Sequence, residues 1–368
     1  MNFDYTADQL YLKGEVRRFL EDRCSLPLVR QALDPANVGP LASLWQEVVA
    51  QGWLGAAIPE AHGGLGLGHV ELCAIFEELG RALAPVPFAS TILFAEALLL
   101  AGSDEQKERY LAKVAAGEIV ATVAIAEGPG PAVPATLSAG FVGGRLSGAK
   151  APVTDGVQAD VAIVLAESAD GPSMVLVELD DKTVARSPLS VIDPTRPAAA
   201  LTFDQTPGEV LGSPGNGKEL ARQILDRAAA FAAFEQIGGA DHVLERTCAY
   251  ALERRAFGRS LGANQAIKHK LADMYIKNQI ARSNAYFAAW ALGDGTESLV
   301  SAASAARIAG CEAYWLAAKE SIQVFGGIGV TWEEDAHLFY RRAAHLSVMA
   351  GAPRYWRDRL ATALIDQH

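Results

Sequence analysis

The stretch VAIVLAESADGPSMVLVEL, residues 161–179, decides the fold. It contains two short runs rich in β-branched residues, at 161–165 and 174–179, and each run is typical of a buried strand. The Asp170-Gly171-Pro172 segment between them is typical of a hairpin turn. Most of the prolines and many of the glycines fall in the same region, at positions typical of loops and sheet edges. The sequence therefore predicts a small all-β domain over residues 123–215.

On both sides of this region the pattern changes to helices. Before it, apolar residues recur every three or four positions, and residues 71–83 predict an amphipathic helix that ends at the prolines of residues 84–87. After it, four helical patterns follow, at residues 219–255, 263–293, 298–324 and 335–365. This order argues against a doubly wound parallel sheet, which would alternate strands and helices throughout. We predict an α+β fold with three domains: an N-terminal helical domain (1–122), a middle β-sandwich or barrel (123–215) and a C-terminal four-helix bundle (216–368).

Composition limits the classes of function. The 368 residues carry a formal net charge of −11, which argues against a nucleic-acid-binding surface. No apolar run reaches the roughly 18–20 residues that a membrane span needs, and the longest candidate contains Glu96. The chain starts without the basic and apolar segments of a secretory signal, and its cysteines form no CxxC pair, so we expect buried thiols in a reducing cytoplasm. No spacing of histidines predicts a metal site.

Three glycine-containing motifs carry possible chemistry. GGLGLG at residues 63–68 lacks the preceding strand of a dinucleotide-binding loop, so we expect a structural loop. RRAFGR at 254–259, followed by Gln265, places arginines at a helix end, where they suit either an anion or an ordinary surface. QVFGGIGVT at 323–331 allows a ligand to approach the backbone closely, but it is equally typical of a helix end followed by a turn.

Together and in this order, these motifs resemble the acyl-CoA dehydrogenase family of flavoproteins over essentially the whole chain. The resemblance is carried by the two C-terminal clusters above and by further segments: GWLG (52–55), PEAHGGLG (59–66), EELGRALAP (77–85), residues 102–118 and GAKAPVTDGVQAD (148–160). The family resemblance implies the three-domain fold, FAD as cofactor and an acyl-CoA thioester as substrate. It also implies an electron-transferring flavoprotein as redox partner.

The resemblance also assigns roles to residues. The family's FAD lies between subunits, and one chain holds the pyrophosphate and adenosine of its neighbour's FAD. The residues at those positions here are Arg254, Phe257, Gln265, Gln323, Gly326 and Gly327. Thr154, in the middle domain, occupies a position that donates to the flavin edge. In the family's reaction a glutamate removes the α-proton of the thioester while the β-hydrogen leaves as hydride to the flavin.

The sequence departs from the family at the catalytic positions. Ala350 occupies the commoner position of the glutamate, and Ala352 replaces a flavin-contacting threonine. The glutamate's other known position corresponds to Ala228. An alanine cannot remove a proton, and loss of a general base costs ~10²–10⁴ in rate. The middle domain departs as well, because AEGPGPA at 126–132 replaces the family's flavin-contacting loop and Pro152 replaces a tryptophan.

We therefore predict the base-lacking subunit of a heteromeric bacterial acyl-CoA dehydrogenase, a heterotetramer in which a homologous subunit supplies the glutamate. Such enzymes are associated with CoA thioesters of bulky substrates such as steroid side chains. One alternative is a complete homomeric enzyme with a relocated base. Glu235 is its best candidate and Glu127 the second, although Glu235 is also typical of an acid paired with an arginine. The other alternative is a flavin-free scaffold or acyl-CoA-binding subunit.

Overall fold

The computed structural model describes residues 5–34, 38–179, 182–256, 258–294 and 298–365. The chain divides into two compact units. We call Met1–Asp34, His69–Ala84 and Ala229–His368 the bundle unit, because its core is helical. We call Pro35–Gly68 and Pro85–Ala228 the sheet unit.

In the described residues, the α-helices are, in chain order, α1 (Ala7–Arg23), α2 (Leu26–Gln31), α3 (Val38–Val49), α4 (His69–Arg81), α5 (Phe88–Ala101), α6 (Asp104–Ala115), α7 (Gly217–Glu253), α8 (Gln265–Asp294), α9 (Leu299–Phe325), α10 (Ala336–Val348) and α11 (Pro353–Ile365). The strands are β1 (Ala121–Ala124), β2 (Gly140–Val142), β3 (Arg145–Thr154), β4 (Val161–Ser168), β5 (Gly171–Glu178), β6 (Val184–Leu189), β7 (Ala198–Pro207), β8 (Glu209–Leu211), β9 (Arg255–Ala256) and β10 (Arg259–Ser260).

The sheet unit contains one eight-stranded sheet, in the order β6-β7-β3-β2-β4-β5-β8, with β1 added in parallel to β4. The predicted hairpin is confirmed: β4 and β5 pair antiparallel from Val161↔Glu178 to Ser168↔Gly171. Both strands are almost completely buried, which explains their β-branched composition. The predicted α+β order of helices, sheet and helices is therefore confirmed.

Two glycines fix the contact between α4 and α7 in the bundle unit. A Cβ added at Gly80 would lie 2.1 Å from the Glu235 carbonyl oxygen, and one at Gly238 would lie 1.9 Å from the Glu77 carbonyl oxygen. Only a residue without a side chain permits such an approach of two helix backbones. This contact explains the glycine in the EELGR motif, and it places Glu235 on a buried helix surface.

One helix prediction is wrong. Residues 335–365 form α10 and α11 rather than one helix, because the backbone turns between them. Ala350 has φ +56° and Gly351 has φ +102°, both outside the helical region. Arg307, buried in the bundle unit, donates to the carbonyl oxygen of Leu346 and, at 2.6 Å, to that of Met349. These bonds satisfy carbonyl groups that the end of α10 leaves without helical partners.

The three long helices, the glycine loop and most of the cysteines agree with the sequence predictions. The predicted helices at 219–255, 263–293 and 298–324 are confirmed as α7, α8 and α9. Residues 63–68 are a loop between a 3-10 turn and α4, as expected, and a Cβ at Gly64 would lie 2.0 Å from the Ile58 carbonyl oxygen. The cysteines are free thiols, and all except the half-buried Cys248 are buried. Within the described ranges, no helix has the length and hydropathy required to cross a lipid bilayer.

Candidate functional site

Four segments of the chain converge at one end of the bundle unit. The Tyr250 ring, in the last turn of α7, stacks on Phe325 at the end of α9, with ring centroids 4.2 Å apart. The backbone N–H of Leu261 donates to the Arg254 carbonyl oxygen at 2.8 Å. This hydrogen bond holds the segment before α8 close to the end of α7.

The start of α8 also contacts the end of α9, because Lys270, in the second turn of α8, pairs with Glu320 of α9. The two predicted clusters, 254–265 and 323–329, therefore lie at the same end of the bundle.

A short hairpin forms the first cluster. β9 and β10 pair antiparallel, with Arg255 opposite Ser260 and Ala256 opposite Arg259. Gly258 adopts φ +81° in the turn, which favours glycine. Phe257, which we expected to pack against the cofactor, lies outside the described residues. Gln265 is exposed at the first position of α8, and the start of a helix favours negative charge.

A glycine turn forms the second cluster. α9 ends at Phe325, and Gly326 adopts φ +70° and ψ −140° before a 3-10 turn over Gly326–Val330. A Cβ added at Gly326 or at Gly327 would meet no atom within 4 Å, so the backbone there faces open space. A Cβ at Gly329 would instead lie 2.7 Å from the Ile322 carbonyl oxygen. Gly329 is thus required for packing, whereas Gly326 and Gly327 leave room for a ligand.

This end of the bundle is unusually basic. Residues 254–270 contain five Lys and Arg residues and no Asp or Glu, in a chain whose net charge is −11. Four of the five cations are exposed and form no ion pair with any described residue: Arg254, Arg255, Arg259 and Lys268. We call three of them, Arg254, Arg259 and Lys268, the basic end, because the hairpin register places Arg255 opposite Ser260 and not on the face of Arg259. Arg259 and Lys268 were not among the residues predicted from the motifs, although the run without acidic residues was a visible signal. Such a surface suits an anion with more than one charge.

The predicted flavin-edge residue lies in the sheet unit. Thr154 is the last residue of β3 and is partly buried. Its carbonyl oxygen accepts a hydrogen bond from the Thr122 hydroxyl at 2.7 Å. The next residue, Asp155, has φ +55° and accepts from the buried Ser90 hydroxyl at 2.6 Å. The backbone position of Thr154 is therefore fixed, while Pro152, two residues earlier, is exposed.

Glu127 is held by several donors. Its carboxylate accepts from Lys150 at 2.7 Å, from the Ser138 backbone and hydroxyl at 2.7 Å each, and from the Ala139 backbone at 3.1 Å. Burial opposes ionisation, but the hydrogen bonds from Lys150 and Ser138 outweigh it and lower the pKa of Glu127 to about 2. An acid with so low a pKa is a poor proton acceptor at neutral pH. We interpret Glu127 as structural.

Glu235 is part of a buried ion pair. Its Oε1 accepts from Nη1 of Arg342 at 2.6 Å, and the two side chains are 1% and 0% exposed. Arg342 also donates to the Leu83 carbonyl oxygen at 3.3 Å. A carboxylate neutralised by a guanidinium and shielded from solvent is poorly placed to remove a proton from a bound substrate. The structure therefore favours the pairing with an arginine over the role of a relocated base.

Neither predicted position of the catalytic glutamate carries an acid. Ala350 is half-buried in the turn between α10 and α11, and Ala352 is exposed. Ala228 is buried in α7, and the adjacent Arg227 pairs with Glu96 at 3.1 Å.

The order of the elements defines an architectural class, proteins in which a β-sheet unit lies in sequence between helical segments. Family models narrow this class: the acyl-CoA dehydrogenase N-terminal domain matches residues 6–118, and the acyl-CoA dehydrogenase C-terminal domain matches residues 215–365. The chain is 32% identical to acyl-CoA dehydrogenase IpdE2 of Mycolicibacterium smegmatis, over 95% of this chain and 96% of that protein. The chain therefore belongs to the acyl-CoA dehydrogenase family. FAD is the cofactor of this family and fold.

Further relatives extend the comparison. The chain is 36% identical to acyl-CoA dehydrogenase FadE34 of Mycobacterium tuberculosis over 88% of its length, but it spans only 42% of FadE34. Among solved structures, a variant of the Tcur3481-Tcur3483 steroid ACAD superposes with a TM-score of 0.88 at 32% identity, covering 98% of both chains. The ChsE4-ChsE5 complex from Mycobacterium tuberculosis gives a TM-score of 0.85 at 26% identity, over 100% of this chain and 99% of that chain.

Proposed function

We propose that this chain is the base-lacking subunit of a heteromeric acyl-CoA dehydrogenase and completes the FAD site of a homologous subunit. One observation carries the proposal: both positions of the family's glutamate are alanine, Ala350 and Ala228, in a chain that keeps a basic, ligand-accessible bundle end. The buried pair of Glu235 with Arg342 supports it, because the best substitute for the missing base is already neutralised.

In this proposal the bundle end binds the distal half of the partner's FAD. Arg254 offers a fork of donors to the pyrophosphate, and Gln265 adds a side-chain amide at the start of α8, where the helix dipole favours an anion. Gln323 is exposed beside the open backbone at Gly326 and Gly327, where the ligand meets no Cβ. Phe257 and Thr154 keep their proposed roles against the cofactor. When bound, FAD supplies the acceptor for the hydride, and the partner's glutamate supplies the base.

The proposed substrate is a CoA thioester with a bulky, steroid-derived acyl group. Two of the solved relatives carry two-component names, and one of those is a steroid ACAD. The proposed electron acceptor is an electron-transferring flavoprotein, and the proposed location is the cytoplasm. The domain boundaries at residues 122/123 and 215/216 also belong to the proposal.

Purification of the chain alone and together with a homologue encoded beside it tests this function. We expect the chain alone to contain little flavin and to show no acyl-CoA dehydrogenase activity. The co-expressed complex should contain both subunits in equal numbers, together with FAD, and should be active. Stoichiometric flavin and turnover in the chain alone would reject the proposal.

Two further measurements separate the alternatives. If Glu235 were a relocated base, Glu235→Gln would abolish reduction of the flavin by substrate while leaving the bound flavin in place. We expect instead that any loss of activity follows loss of folded protein. If the chain were a flavin-free scaffold, the purified complex would show no flavin absorbance above that of the partner alone. The unpaired cations of the basic end favour a cofactor-binding role over that alternative.

A further inference from the structure

The hairpin at the basic end has a register that extends beyond its two-residue strands. Arg255 lies opposite Ser260, and Ala256 lies opposite Arg259. The hydrogen bond from the Leu261 N–H to the Arg254 carbonyl adds the next pair, Arg254 opposite Leu261.

This register determines which side chains share a face. Residues opposite each other in an antiparallel pair project to the same face, and successive residues of one strand project to opposite faces. Arg254 and Arg259 therefore lie on one face, whereas Arg255 lies on the other face with Ser260. Arg254 and Arg259 are diagonal neighbours, and such positions are about 7–8 Å apart, within reach of long side chains.

Both arginines are available to a ligand. Arg254 and Arg259 are exposed, and neither forms an ion pair within the described part of the chain. Two guanidinium groups on one face of a hairpin repel each other when they approach, unless an anion lies between them. A pyrophosphate carries two negative charges on adjacent phosphates, and each phosphate matches one guanidinium fork.

We propose that Arg259 is a second cofactor-binding residue and forms, with Arg254, a two-arginine site for the pyrophosphate of a dinucleotide. This inference rests on the proposed function, because the dinucleotide is the FAD of the partner subunit. Arg255 projects to the opposite face of the same hairpin and does not contact the pyrophosphate. The chain thus provides a matched control: a residue of the same type, in the same hairpin, with the same charge.

The test uses the complex co-expressed with the homologous partner. Arg254→Gln, Arg259→Gln and Arg255→Gln are compared by flavin content after purification and by the Kd for FAD added back to the apo complex. We expect Arg259→Gln to weaken FAD binding by about tenfold or more, as for loss of a hydrogen bond to a charged group. Arg255→Gln should stay within about twofold of the wild type. Thermal melting and native mass of each apo variant show whether folding and assembly are preserved.

The outcomes are distinguishable. Equal effects of Arg259→Gln and Arg255→Gln would overturn the inference, while a large effect of Arg254→Gln would leave the proposed function in place. An unchanged Kd in all three variants would reject both. Arg259→Lys keeps the charge but not the fork, so it should recover only part of the affinity. In the double variant Arg254→Gln/Arg259→Gln, we expect the loss of FAD-binding free energy to differ from the sum of the losses in the two single variants. The two residues are coupled because both contact one ligand group.

Discussion

At the scale of single residues, the Glu235–Arg342 ion pair makes a strong prediction about stability. Glu235→Gln should lower the free energy of unfolding by about 3–5 kcal/mol, because it removes one charge of a buried ion pair. Chemical denaturation of the purified chain measures this change. Glu219→Gln is the control: Glu219 is half exposed and pairs with Arg222 one turn away, so the change should stay within about 0.5 kcal/mol. Similar losses in both variants would contradict the assigned role of the buried pair.

His242 predicts a dependence of stability on pH. Burial and the positive charges of Arg81 and Arg246 lower the pKa of His242 from 6.5 to about 4, although Glu245 opposes the shift and Arg17 adds to it. The unfolded chain therefore binds a proton between pH 6.5 and pH 4, where the folded chain does not. The contribution of His242 to the free energy of unfolding should be constant above pH 6.5. It should fall as the pH decreases from 6.5 to 4.

Denaturation curves at pH 7, 5.5 and 4.5 measure this effect. The variant His242→Gln, which cannot take up the proton, should lose less stability over this interval than the wild type. An identical slope for the two proteins would show that His242 is not the titrating group.

At the scale of elements, the end of α9 distinguishes a glycine needed for packing from a glycine needed for a ligand. Gly329→Ala should destabilise the fold by about 1–3 kcal/mol, because its Cβ meets the Ile322 carbonyl oxygen and the Phe325 side chain. Gly327→Ala, whose Cβ meets open space, should change stability by less than about 0.5 kcal/mol. It should nevertheless weaken FAD binding to the complex. Thermal melting and FAD titration separate the two effects, and a strongly destabilised Gly327→Ala variant would contradict the described turn.

The contact between α4 and α7 makes a second prediction at this scale. Gly238→Ala should destabilise the bundle by more than about 3 kcal/mol, since its Cβ would overlap the Glu77 carbonyl and force the helices apart. Gly14→Ala is the matched control in α1, because its Cβ meets nothing within 4 Å. That change should instead stabilise the fold by about 0.5–1 kcal/mol. Equal melting temperatures for the two variants would refute the close approach of the helices.

The order of the elements was predictable because the spacing of apolar residues within each segment indicates a helix or a strand. The hairpin of β4 and β5 and the three long helices α7, α8 and α9 follow from local patterns that no long-range contact overrides. The break between α10 and α11 also has a local signal, because Gly351 lies in the turn and Pro353 begins α11, but the apolar periodicity continues across it and led to the prediction of one helix. The hydrogen bonds that hold the turn were not predictable, because Arg307, which donates to the carbonyls at the end of α10, is distant in sequence.

The candidate site shows the same division. Its glycine motifs were visible in the sequence, since glycine marks helix ends and turns. The partner of Glu235 was not visible, because Arg342 lies 107 positions away and the pairing depends on how α7 and α10 pack. That Arg254 and Arg259 share a face could be inferred only from the register of the hairpin. A shift of one residue would place the two side chains on opposite faces.

At the scale of the whole molecule, the net charge of −11 opposes the binding of an anionic ligand, and the basic end offsets this repulsion locally. FAD binding to the complex should therefore weaken several-fold as salt is raised, because exposed charges are screened within about 10 Å at 0.1 M ionic strength. Titrations at low and high salt measure this dependence. The double variant Arg254→Gln/Arg259→Gln should show a smaller dependence on salt, and an unchanged dependence would place the relevant charges elsewhere.

The turn at Ala350 has a consequence for how such subunits diverge. Its left-handed backbone penalises alanine and glutamate alike, and it is stabilised by Arg307 rather than by any acid of its own. Because this backbone strain is similar for the two residue types, an acid at position 350 would require no rearrangement of α10 and α11. Under the proposed function, the proton-removing role can therefore pass between two homologous subunits by substitutions that leave the architecture of both unchanged.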